Sequence, residues 1–172
     1  GLGVRTVATA RSYTQGNLQQ TGNNLDVAIN GNGFFQIEMP DGTTAYTRDG
    51  SFKLSATGEL VTSSGFRVLP GVTIQDPATR SVTIGADGAV TALVGNNPTP
   101  QAVGTIELAT FVNPAGLEPR GQNLFTETTA SGNATTGAPG ADGLGQVMQG
   151  YLEQSNVNVV EELVNMIQTQ RA

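Results

Sequence analysis

The stretch DVAINGNGFFQIEMPDGTTAYTRDGSFKL, Asp26 to Leu54, decides the fold class. Val27 and Ile29 alternate along a short strand. Asn30 to Gly33 reads as a turn, because Asn and Gly tolerate positive φ. Phe35, Ile37 and Met39 then share one face of the next strand, with Gln36 and Glu38 on the other and Phe34 at its entrance. Pro40-Asp41-Gly42 turns the chain back into Thr43 to Arg48, a hairpin signal. Asp49-Gly50 predicts a second turn, leading into a strand over Ser51 to Leu54.

Working outward, Ala56-Thr57-Gly58-Glu59 turns into Leu60 to Thr62. Three successive hairpins make a β-meander. Phe66 to Ile74 contains Pro70, which makes it an edge strand or two pieces. Val82 to Val94 is a hairpin turning at Ala86-Asp87-Gly88. Thr105 to Val112 reads as one strand, with Ile106, Leu108 and Thr110 set against Glu107 and Ala109. Thr128 to Gly145 has almost no apolar bulk and predicts a mobile exposed loop. Upstream, Val4 to Tyr13 reads as extended and Gln15 to Asn24 as a loop.

Val147 to Glu153 resumes β character, and SNVNVVEELVNMIQTQRA follows from Ser155 to Ala172. At about 100° per residue, Val157, Val159, Val160, Leu163, Val164, Met166 and Ile167 fill one arc of roughly 180°. That arc is wider than the roughly 100° stripe of an ordinary surface helix. Asn158 with Glu161 resembles a capping box, and Glu153, Glu161 and Glu162 read as helix-entry charges. The apolar half must be covered by the domain's own core or by a helix outside these residues. The expected fold is therefore mainly β: an elongated, antiparallel, hairpin-rich domain over residues 1–150. The start of a C-terminal helical segment follows over residues 151–172.

Composition narrows the function. The 172 residues suit one domain, or one domain with an appendage. With 23 glycines, 13% charged residues and no Trp, short strands and a thin core are expected. The net charge is −6, and Lys53 is the one lysine among eight basic residues, so there is no basic patch for nucleic acid. No basic amphipathic stretch or long apolar run points to membrane insertion. Cysteine is absent, which excludes disulfides, thiolate metal sites and Cys nucleophiles and fits a reducing cytoplasm or export in an unfolded state. Histidine is absent too, removing the commonest general base and metal ligand. The start at Gly1 without a signal peptide, and the unbroken helical pattern at Ala172, read as a piece of a longer protein.

Few constellations offer chemistry. Asp-Gly occurs at Asp41, Asp49, Asp87 and Asp142. These pairs suit hairpin turns far better than a calcium or sugar site, and the EF-hand spacing is missing. Asn30 to Gly33 lacks the Lys and helix of a phosphate loop. Arg48 and Asp49 read as a surface or strand-end ion pair or an intersubunit contact, or as an acid–base remnant. No G-x-S-x-G motif occurs, and no His could activate a serine.

Several blocks carry a resemblance: GLGV (Gly1 to Val4), QGNLQQTGNNLDVAINGNGFFQI (Gln15 to Ile37), PDGTTAYTRDGSFKL (Pro40 to Leu54) and QGYLEQSNVNVVEELVNMIQTQRA (Gln149 to Ala172). Together they resemble the rod and hook axial proteins of the bacterial flagellum, in the distal rod type above all. The resemblance implies a β-rich middle domain between two terminal helices that pair as a coiled coil, with no enzyme activity and no cofactor. It implies a homo-oligomeric helical tube that carries torque and encloses the export channel. Export would be by the flagellar type III route into the periplasm. Implied partners are proximal rod proteins, the hook protein, and the ring proteins of the peptidoglycan layer and outer membrane. Alternatives are a hook or proximal rod protein, an extracellular carbohydrate-binding or adhesin module, and a hydrolase using paired carboxylates.

Within that resemblance the motif residues take structural roles only. Phe34, Phe35, Ile37, Tyr46, Phe52 and Phe66 are expected in the β-core. Asp41-Gly42, Asp49-Gly50 and Asp87-Gly88 are expected as structural turns. In the Asp49-Gly50 turn, Asp49 would accept backbone hydrogen bonds and Gly50 would supply positive φ. Val157, Val160, Leu163, Val164 and Ile167 would form the helix assembly face.

Overall fold

Phe34 and Phe35 are adjacent in the chain and belong to two different hydrophobic clusters. That split organises residues 15–154, the part of the chain described by a computed structural model. Its strands are β1 (Leu18–Gln20), β2 (Val27–Asn30), β3 (Phe34–Glu38), β4 (Thr44–Thr47), β5 (Lys53–Leu54) and β6 (Leu60–Val61). Then come β7 (Arg67–Val68), β8 (Pro70–Val72), β9 (Thr79–Ile84), β10 (Ala89–Val94), β11 (Gln101–Ile106) and β12 (Leu108–Thr110). After one 3₁₀ turn at Pro114–Gly116 follow β13 (Glu118–Gly121), β14 (Leu124–Thr126), β15 (Thr135–Gly137), β16 (Gln146–Gln149) and β17 (Tyr151–Glu153). Every pairing between them is antiparallel. The fold is mainly β, and the described residues contain no α-helix. The helical segment expected over residues 151–172 does not begin there, because Tyr151–Glu153 form β17 and pair with β1. The rest of it from Ser155, with its face of Val157, Val160, Leu163, Val164 and Ile167, lies outside the described residues, as does the extended stretch expected at Val4 to Tyr13.

Strand β3 is the branch point. One edge pairs with β4, with Ile37 opposite Ala45. The other edge is shared: its first half pairs with β12 and its second with β7. The largest sheet therefore runs β13-β14-β4-β3-β7-β6-β5, with β12 and β15 attached beside β3. A second sheet has the order β8-β11-β10-β9, and two ribbons pair β1 with β17 and β2 with β16.

Side chains alternate across β3, so Phe35 and Ile37 enter the main core with Val27, Ile29, Phe52, Leu60, Val68, Ile106 and Leu108. The Phe35 and Phe52 rings meet edge to face, with centroids 5.0 Å apart. On the opposite face Phe34 joins Tyr46, Ala109, Phe111 and Leu117. Both faces of β3 are covered, and Gln36 is buried instead of solvent-facing. Each fully buried large apolar side chain contributes roughly 1.5–3 kcal/mol. Phe34 to Ile37, four of the five β3 residues, are accordingly buried.

Several local readings change in the structure. The hairpins fall at Pro40–Gly42, Ser55–Glu59 and Thr62–Phe66, and β4 does not pair with β5. After Asp49-Gly50 the chain leaves the β3–β4 hairpin; β5, β6 and β7 return to β3 on its far edge. Gly50 does not adopt positive φ. A Cβ there would lie 1.7 Å from the Val27 carbonyl oxygen, so the residue must be glycine for close approach to β2. Pro70 divides its run into β7 and β8, which join different sheets, with a cis Leu69–Pro70 bond between them. The strand expected over Thr105 to Val112 likewise breaks at Glu107 into β11 and β12. Ile106 and Leu108 both remain in the main core.

Two expected loops are built into the fold. The stretch over Gln15 to Asn24 contains β1, which pairs with β17. The stretch over Thr128 to Gly145 contains β15, and its Ser131 is fully buried with its hydroxyl bonded to Thr128 and Gly132 carbonyls. Backbone pairing and small side chains order this segment where apolar bulk is scarce. Leu144 adds one apolar contact to the main core.

Candidate functional site

The β1–β17 ribbon brings together the first and last described residues. Leu18 faces Glu153 and Gln20 faces Tyr151. Backbone bonds extend the ribbon at both ends: Gln154 N–H donates to Asn17 O and Thr21 N–H to Gly150 O, both at 2.8 Å. The strands press closest at Gly16, where a Cβ would lie 2.0 Å from Gln154 O.

Beneath the ribbon lies a polar cluster centred on Arg48. An arginine guanidinium has five N–H donors in a rigid fork, and all five have acceptors. Nη1 donates to Gly31 O at 2.7 Å and Gly33 O at 2.8 Å. Nη2 donates to Glu153 Oε2 at 2.6 Å and Ile29 O at 3.3 Å, and Nε donates to Glu153 Oε1 at 3.0 Å. Glu153 Oε2 also accepts Gly16 N–H at 3.0 Å and an Nε2–H of Gln15. Gln15 closes the circuit by accepting Gly31 N–H at 2.7 Å.

The local sequence explains these positions. Arg48 follows β4 directly, so the Ala45–Tyr46–Thr47 strand aims it at the Asn30–Gly33 turn. That turn presents two carbonyls because Gly31 and Gly33 have φ of 125° and 124°, values open to glycine. A Cβ on Gly31 would also lie 2.7 Å from Gly145 Cα. Glu153 ends β17 and points inward. The two charged side chains are only 16% and 9% exposed, so the complete donor and acceptor set is what offsets their desolvation.

Arg48 is thus not an ion-pair partner of Asp49. Asp49 caps its own turn, accepting Ser51 N–H at 3.1 Å and the Ser51 hydroxyl at 2.8 Å. Nor is Glu153 a helix-entry charge; it is an inward strand residue. Asp41 accepts Thr43 N–H and its hydroxyl, which hold the exposed carboxyl below its ordinary pKa. Asp87 accepts Ala89 N–H at 3.1 Å, and Gly42 and Gly88 both have φ of 86°. Phe34, Phe35, Ile37, Tyr46 and Phe52 are buried, while Phe66 is half-buried against the main core.

A second anchor was hidden in a residue the sequence reading passed over. Gln149, in β16, donates through Nε2 to Asn24 O at 2.8 Å and Val82 O at 2.9 Å. Its Oε1 accepts Ile84 N–H at 3.1 Å. One side chain thus ties β9 to the approach to β2. A Gln next to a glycine in a short strand carries no local mark of this role. Arg48 carries a faint one, as a rare cation directly after a largely buried strand.

The structure offers little for catalysis. A shallow concavity of about 920 Å³ lies along the Met39–Tyr46 hairpin, with Arg120 and Glu127. Its ionisable groups are engaged: Asp41 by Thr43, Arg120 by Glu118, and Glu127 by the Tyr46 hydroxyl at 3.1 Å and Ala134 N–H at 3.0 Å. Burial first, and then the Glu127 charge, push the Tyr46 hydroxyl well above its ordinary pKa. Among the described residues no group of three or more acidic side chains could hold a metal ion.

Comparison with known proteins assigns the chain to a family. Residues 28–92 match the "Flagellar hook protein FlgE/F/G D1 domain", and residues 148–172 match the "Flagellar basal body rod FlgEFG protein C-terminal" region. The flagellar basal-body rod protein FlgG of Buchnera aphidicola (subspecies Schizaphis graminum) is 53% identical over all 172 residues. The chain belongs to the flagellar rod and hook protein family. FlgG of Borreliella burgdorferi is 47% identical over the whole chain, and the rod protein FlgF of Caulobacter vibrioides is 38% identical over 98% of it. The chain spans 66% of the length of the Buchnera FlgG, 65% of the Borreliella FlgG and 65% of the FlgF. The family is one of structural rod and hook proteins, not of enzymes. Arg48 lies inside the first matched region and Glu153 inside the second, so their ion pair joins the family's D1 and C-terminal regions.

Proposed function

We propose that this chain is the middle portion of a structural subunit of the flagellar distal rod. The observation that carries the reading is the FlgG match, which runs through the entire chain at 53% identity and exceeds the 38% match to an FlgF. In this reading like subunits stack into a helical tube that transmits motor torque to the hook and contains the export channel. The β domain over residues 15–154 decorates the tube, and the helix read from Ser155 onward belongs to its wall. There Val157, Val160, Leu163, Val164 and Ile167 meet a helix that precedes Gly1 in the complete protein. The subunit is exported through the flagellar type III apparatus into the periplasm. Its neighbours are proximal rod proteins, the hook protein, and the peptidoglycan-layer and outer-membrane ring proteins. The absence of cysteine suits unfolded export, and the pairing of β1 with β17 suits two terminal segments that pair with each other.

The test is assembly of purified protein. The complete protein at high concentration is expected to form ordered tubes, while residues 1–172 alone stay monomeric. A complete protein that remains a soluble monomer under every condition tried would count against a rod subunit.

A further inference from the structure

We propose that Arg48 and Glu153 form a latch that fixes the direction in which both terminal segments leave the β domain. The inference deepens the rod reading and rests on it for the role of those segments. Three pieces of chain meet at one guanidinium–carboxylate pair: the entry at Gln15 and Gly16, the exit at Glu153, and the Asn30–Gly33 turn. The ribbon held above it has only three facing residue pairs, too few to be stable alone. All five guanidinium donors and both carboxylate oxygens are used, so the pair has one geometry and resists swivelling. Lysine could not reproduce it, because its ammonium lacks the planar fork. Within a tube of like subunits, a fixed exit direction keeps each β domain in one attitude to the wall. Arg48 and Glu153 are accordingly positioning residues.

Hydrogen exchange on the complete protein tests the latch. In Glu153→Gln, the ribbon amides of Gln154 and Thr21 are expected to exchange at least tenfold faster and tube assembly to be lost, while the amides of Ile37 and Val68 in the core keep their rates. Gln15→Ala, which leaves the ion pair intact, is expected to show the same pattern with a smaller rise. A disulfide between Gln20→Cys and Tyr151→Cys, in a chain with no other cysteine, is expected to restore slow exchange and tube assembly to Glu153→Gln when oxidised and not when reduced. Unchanged ribbon exchange in both single variants would overturn the latch. So would an equal rise in core exchange, or an oxidised disulfide that slows exchange without restoring assembly. Failure of the unmodified protein to form tubes would instead sink the rod reading, leaving the exchange data to judge the latch.

Discussion

Arg48 and Glu153 stand 105 residues apart in sequence and meet through two hydrogen bonds, at 2.6 Å and 3.0 Å. The pair is largely buried, and it joins the end of β4 to the last described strand. A second pair, Arg67 with Glu38, has similar geometry at 3.1 Å and 3.2 Å but is 36% and 43% exposed. Hydrogen bonding to Glu38 raises the Arg67 pKa, yet at that exposure solvent screens the interaction.

The contrast predicts unequal costs. Removing one partner of a buried pair leaves an uncompensated charge, so Arg48→Ala should destabilise the β domain by about 3–5 kcal/mol. Arg67→Ala should cost no more than about 1 kcal/mol. Urea unfolding of the two variants compares them directly, and equal costs would show that the Arg48 cluster is not the buried anchor described.

Gly50 and Gly42 follow aspartates in the same dipeptide but do different work. Gly42 has φ of 86° with open space around its Cβ position, so Gly42→Ala should cost about 1–2 kcal/mol of backbone strain. Gly42→Asn should recover part of that. Gly50→Ala must displace the backbone of β2 from a 1.7 Å clash and should cost more than about 3 kcal/mol. Asn at position 50 should be no better than Ala. A Gly50→Ala variant as stable as Gly42→Ala would mean that β2 does not pass this close.

Tyr46 makes stability sensitive to alkali. Its folded pKa is raised above the ordinary value of 10.0 by burial and by Glu127. A raised pKa means that the contribution is complete below the unfolded value and is lost as pH rises towards the folded one. Stability should therefore fall above about pH 10, where the unfolded tyrosine ionises and the folded one does not. Tyr46→Phe should cost about 1–2 kcal/mol at neutral pH and flatten that alkaline slope. Denaturation midpoints across the alkaline range read this out, and an unaltered slope in Tyr46→Phe would assign the effect elsewhere.

Phe35 tests the two-sided covering of β3. Phe35→Ala opens the main core and should cost about 3–5 kcal/mol. The half-buried Phe66 should cost clearly less when truncated, since much of its surface already meets solvent. Calorimetry or denaturant unfolding of both variants separates a buried ring from a peripheral one.

Sequence patterning carried the local architecture well. Alternation marked Ile29, Phe35 and Ile37, and the Asp-Gly and Pro-Asp-Gly signals located the β3–β4 and β9–β10 hairpins. Each of those features is decided by neighbours within a few residues. Pro70 marked a division because it cannot donate to a ladder. What patterning could not supply was the partner of each strand. β2 pairs with β16 and β1 with β17, across more than a hundred residues, and nothing in LQQ or YLE names the other. The same limit hid the Arg48 cluster: Arg48 beside Asp49 suggested a local pair, while its carboxylate partner Glu153 lies 105 residues away. Gly50 looked like a turn glycine, because close approach leaves the same residue in the sequence as positive φ. Thr128 to Gly145 looked unstructured because its order comes from backbone pairing and small side chains, which composition does not distinguish from a linker.

The proposed role makes the complete protein a structural part of the flagellar rod. Its most direct test removes the protein from its own cells and images the isolated basal bodies by electron cryomicroscopy. Rods that stop short and carry no hook are expected, in cells that do not swim, with recovery of both when the complete protein is supplied again. Complete rods, attached hooks and normal swimming in cells without the protein would contradict it.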